Sequence, residues 1–116
     1  MKLENLNKLS LVITIPKSTS WDEYQKELDK AKNGEIMNFK VTNFPRKVSA
    51  GDKCYVVYGG MLKGWMKIVG FSEKNFICTT TGKKMAGKFV ERSGNFHPLD
   101  KEEPFSGFRG FRYVQR

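Results

Sequence analysis

The order of apolar and polar positions divides the chain into short extended segments with one helical stretch among them. Leu9–Ile15 (LSLVITI) is a β-branched, apolar run that reads as a well-buried strand, ended by Pro16. Ser20-Trp21-Asp22-Glu23 has the form of a capping box, in which the serine side chain satisfies a free backbone N–H of the first turn. Trp21, Tyr24, Leu28 and Ala31 then recur at helical spacing and form one apolar stripe, and Gly34 stands where a helix is closed. The spacing predicts a helix over 21–33.

Beyond Gly34 the period changes from helical to two. Ile36–Phe44 alternates like a half-buried strand and is broken by Pro45-Arg46-Lys47. Ser49-Ala50-Gly51-Asp52 reads as a turn into the apolar strand Cys54–Tyr58, and Gly59-Gly60 is a hairpin signal. Leu62–Phe71 follows as a strand whose internal Gly64 and Gly70 suggest bulges. Asn75–Thr80 and Ala86–Arg92 read as further strands around the turn Thr81–Lys84, His97–Pro104 as a loop, and Phe108–Val114 as a last strand. The expected fold is mainly β (α+β): six or seven strands in a small curled sheet or pseudo-barrel, with one long N-terminal helix. Residues 1–116 form a single domain, with a strand and helix in 1–34 and a β-rich basic part in 35–116.

Charge adds a direction to this picture. The formal net charge is +9, of which residues 1–34 carry +1 and residues 35–116 carry +8. So one-sided a field attracts polyanions, and nucleic acid, RNA ahead of DNA, is the expected partner. A membrane is not: no apolar run approaches the roughly 20 residues a spanning helix needs. The opening MKLENLNKLSLVITIP lacks the form of a signal peptide. A cytoplasmic protein is therefore expected, with Cys54 and Cys78 as reduced thiols in apolar runs. Two cysteines and one histidine do not make a zinc site, and no metal or other cofactor is expected.

Three features have candidate chemistry. Lys63, Lys67, Lys83, Lys84, Lys88 and Arg92 lie on or beside consecutive expected strands. In a regular strand Lys63, Trp65 and Lys67 face one way, which gives lysines for phosphates around a ring for base stacking; alternatively Trp65 is core and the lysines flank it. In the ending Gly107–Tyr113, Arg109, Phe111 and Tyr113 share one face and Phe108, Gly110 and Arg112 the other, as a nucleic-acid-reading strand or as a closing strand with its aromatics inward. Thr79–Lys84 lacks the spacing of a P-loop and reads as a polar hairpin turn. The expected phosphate contacts are Lys63, Lys67, Lys83, Lys84, Lys88, Arg109 and Arg112, and the expected stacking residues are Tyr58, Trp65 and Phe111. No catalytic residues are assigned: His97 is read as a surface residue and Asp100, Glu102 and Glu103 as a solvated acidic loop.

The run Val48–Tyr58, in which Gly51-Asp52 leads into an apolar strand, resembles the strand entry of PUA-like domains, the group that includes ASCH and EVE proteins. The glycine-bearing strand Gly64–Phe71 and the aromatic, basic ending extend the resemblance over about residues 35–116. It implies a compact pseudo-barrel and recognition of RNA or of a modified base. An ASCH-like subset has hydrolase or ribonuclease activity, whose catalytic residues do not map here. Two other functions stay open, a small RNA- or nucleoside-directed hydrolase and an inhibitor or accessory protein, such as a phage would encode, that meets an acidic partner.

Overall fold

A computed structural model describes residues 9–78 and 81–116 of the protein. In chain order the elements are β1 (Ser10–Thr14), α1 (Trp21–Lys32), β2 (Met37–Val41), β3 (Lys53–Tyr58), β4 (Met61–Ile77), β5 (Lys84–Pro104) and β6 (Phe111–Val114). The strands form one curled, half-barrel sheet in the order β2-β5-β4-β3-β1-β6. Only β1 and β3 run parallel; every other neighbouring pair is antiparallel.

The local signals act as the sequence requires. Ser20 Oγ accepts from the Glu23 N–H at 3.1 Å, which caps α1. At the other end the Gly34 N–H donates to Ala31 O and the Glu35 N–H to Lys30 O, the paired bonds of a Schellman closure, with Gly34 at φ 100°. The helix has 12 residues, so it is shorter than the long helix expected, and it follows β1. Asp52 Oδ2 accepts from the Ser49 N–H at 2.9 Å and fixes the turn into β3. Gly59 and Gly60 both have positive φ, as a two-residue hairpin between β3 and β4 demands.

The long strands correct the sequence reading. Leu62–Phe71 and Asn75–Ile77 belong to one 17-residue strand, β4, which ends before Cys78; Thr79 and Thr80 lie outside the described residues. His97–Pro104 is not a loop but the second half of the 21-residue β5, with Leu62 opposite Glu103 and Met61 opposite Pro104. Its polar, proline-bounded composition hides this role because its ladder partner is some forty residues distant in sequence. The final strand begins at Phe111, later than Phe108.

Both faces of the sheet are covered. On one, α1 seats Tyr24, Leu28 and Ala31 against Leu11, Ile13, Cys54, Val56, Met66, Ile68 and Val90. Each large aliphatic buried this way contributes about 1.5–3 kcal/mol. On the other face Val12, Tyr55, Val57 and Leu62 form a smaller cluster, roofed by Trp65, Leu99, Phe105, Phe108 and Val114. Among the described residues no helix is long and apolar enough to cross a membrane.

Candidate nucleic-acid interface

An open cavity of about 680 Å³ lies between the β4–β5 turn, the segment after β1 and the segment that precedes β6. Four cations from separate parts of the chain line it: Lys40 of β2, Lys83 at the turn, Arg92 of β5 and Arg109 before β6. Among the described residues Glu27 of α1 is the only carboxylate in its lining. Burial pushes the Glu27 carboxyl above its usual range, against the pull of Arg92 and Lys30. Tyr24, Phe39 and Phe108 supply aromatic wall. Phe108 is held by its N–H, which donates to Thr14 Oγ1 at 3.3 Å, and by the Arg112 guanidinium 4.6 Å from its ring centre.

Arg92 occupies a place its sequence context does not announce. It lies among the outward-looking lysines of the sequence, yet only 2% of its surface is exposed. Its Nη1 donates to Tyr24 Oη at 2.7 Å and sits 3.9 Å from Met66 Sδ, while Nε is buried with no hydrogen-bond partner. Among the described residues no carboxylate is ion-paired with it. In the ladder Arg92 stands opposite Met37 and Ile68, both buried, so its side of the strand is the covered side.

Of the residues singled out from sequence, Lys83, Arg92, Phe108 and Arg109 meet at this cavity, and Arg112 lies against the Phe108 ring. Lys84 is exposed at the start of β5, opposite Ile77. Lys88 lies 5.5 Å from the Phe44 ring centre. Lys63 is neutralised by Glu102, 3.0 Å from its Nζ, and lies over Trp21. Tyr58 and Phe111 pack against the main core, Tyr58 with its ring centre 5.3 Å from that of Trp21.

The single face expected for Lys63, Trp65 and Lys67 forms only in part. The register of β4 shifts between Leu62 and Gly64 against both neighbours, which sets Lys63 apart, whereas Trp65, Met66 and Lys67 stay in step with Tyr55, Cys54 and Lys53 of β3 and so leave Trp65 and Lys67 on one face. Lys63 therefore belongs with Trp21, whereas Trp65 packs on the smaller cluster and stacks on His97 with ring centres 4.0 Å apart. Lys53 lies 4.7 Å from the Trp65 ring centre, and exposed Lys67 is its ladder neighbour. Half-buried Trp65 is thus a second, smaller patch where ring and cation meet. Sequence reading missed Lys40 and Lys53 as contributors, placed Arg92 in the basic region without assigning it a contact, and missed the stacking of His97. The outward position of Lys40 in an alternating strand was its only signal.

Comparison with known protein families, characterised proteins and solved structures finds no match to this chain.

Proposed function

We propose that this protein is a non-enzymatic, cytoplasmic nucleic-acid-binding module, with RNA preferred to DNA, that grips its ligand at the mouth of the basic cavity. The observation that carries this reading is the convergence of Lys40, Lys83, Arg92 and Arg109 on one cavity where, among the described residues, Glu27 is the sole opposing carboxylate. Exposed lysines release counterions from a phosphate backbone, and aromatic wall offers bases a stacking surface. The net charge of +9 and the resemblance of 35–116 to PUA-like domains point the same way.

Titration with single-stranded RNA and DNA at about 50 mM salt and above tests it. Micromolar or tighter binding is expected, with a log–log salt slope of about −3 to −5 for roughly four to six neutralised phosphates. Replacing Lys83 and Lys84 together with Ala flattens the slope by up to about two phosphates' worth, alike for all sequences, and leaves the melting temperature nearly unchanged. Failure to bind either polymer at low salt overturns the proposal.

A further inference from the structure

A buried guanidinium with no carboxylate in ion-pair contact is costly. Removing an ion from water without a partner costs several kcal/mol, and apolar replacements at such positions are often neutral or stabilising. Arg92 has a phenol and a thioether against Nη1 and nothing on Nε, and it forms part of the wall of a cavity that also holds Lys83, Arg109, Lys40 and Glu27, whose carboxylate favours the guanidinium charge without an ion pair. Its Tyr24 bond fixes the plane of the guanidinium before any ligand arrives. The remaining N–H groups have the planar, forked geometry that fits two oxygens of a phosphate. Asn38 also lines the cavity, and its Oδ1 is buried without a partner, an acceptor that suits an amino group. The volume of about 680 Å³ lies within the range of sites that enclose a ligand of nucleotide size.

We propose that the cavity is a nucleotide site in which Arg92 receives a phosphomonoester, at the end of a nucleic-acid strand or on a free mononucleotide, with the base against the aromatic wall. For a strand end this rests on the nucleic-acid reading above; for a free nucleotide it stands alone. Lys83 and Arg109 at the mouth draw the anion in, and Arg92 holds it where water is scarce.

The test compares oligonucleotides of one sequence with a phosphate at the 5′ end, at the 3′ end or at neither, together with a nucleoside monophosphate, the matching nucleoside and inorganic phosphate. Binding is read by calorimetry on wild type, Arg92→Met and Arg92→Lys, with a thermal melt of each. Wild type is expected to bind one phosphorylated strand roughly tenfold or more tightly than the hydroxyl-ended strand, as a charge-assisted bond predicts. Arg92→Met removes that difference while it melts at or above the wild-type temperature; Arg92→Lys keeps part of it. Monophosphate binding that exceeds that of nucleoside and of inorganic phosphate assigns the site to free nucleotides as well. Equal binding of all three strands, with no binding of the monophosphate, overturns this proposal and leaves the nucleic-acid reading intact. Binding of the monophosphate without any strand overturns the nucleic-acid reading and leaves this one. The wild-type comparison decides even where Arg92→Met fails to fold.

Discussion

At Gly64 the two longest strands leave no room for a side chain. A Cβ built there would collide with the His97 carbonyl oxygen, the Phe96 ring and Pro98 Cα, and two of these three are backbone that cannot swing aside. Gly64→Ala is therefore expected to cost about 1–3 kcal/mol or more, since overpacking forces the strands apart. Gly70→Ala meets only the carboxylate end of Glu91 and should cost clearly less. Urea midpoints of the two variants check this, and equal losses would refute the close-approach argument. The sequence reading of Gly64 as a bulge marker was correct, because a glycine inside an apolar strand has few other uses. What the bulge does to Lys63 and Trp65 was not legible: the side on which each emerges depends on how many residues of β5 face it, and periodicity in β4 alone carries no such count. Arg92 was hidden for a related reason, since an arginine beside lysines looks solvated until its ladder partners are known.

The β4–β5 hairpin is long enough that its far part needs its own ties. Glu91 accepts from both Lys74 Nζ and Ser72 Oγ across the two strands. The Lys74 hydrogen bond, helped by Ser72 and opposed by burial, holds the Glu91 carboxyl below its ordinary value. Because the folded value is depressed, the link contributes fully above the ordinary glutamate range near about 4.3 and is lost as pH falls through the depressed one. Glu91→Gln should thus lower the urea midpoint slightly at pH 7, by no more than about 1 kcal/mol for a partly exposed pair, and change nothing at pH well below the carboxylate range. A difference independent of pH would dismiss the ion pair. Elements of this kind were read unevenly. The helix ends, the Gly51-Asp52 turn and the Gly59-Gly60 hairpin were legible because each is closed by residues within five of one another. The continuity of β4 through Ser72-Glu73-Lys74 was not, because polar residues there mimic a turn until a partner strand is present.

For the molecule as a whole, Cys54 gives a built-in reporter of opening. It lies on β3 with no exposed surface, β1 on one side and β4 on the other, and burial pushes its thiol up to about 11. Cys78, near the β4–β5 turn, is only half-buried, and the two form no disulfide. Alkylation near pH 8 is expected to modify Cys78 readily and Cys54 at least about a thousandfold more slowly than in the unfolded chain, because Cys54 reacts only when the sheet opens. Comparable rates at both thiols would mean that the sheet parts locally between β1 and β4. The basic character of the molecule was legible from composition. The convergence of four separate cations on one cavity was not, since Lys40 and Arg109 are brought together by the curl of the sheet.

The position of β1 also decides when the protein can assemble. Leu11 has Cys54 on one side and Tyr113 on the other, so neither neighbour of this strand is near it in the chain. During synthesis α1 and the β3–β4 hairpin can form from what has emerged, while β1 waits for β6. The closing event is a search over long loops, the step that sets folding of β-rich topologies at about milliseconds to seconds. Until it happens, the apolar run Leu11–Ile13 stays open to water on its unpaired side, and it is the segment a chaperone would have to shield.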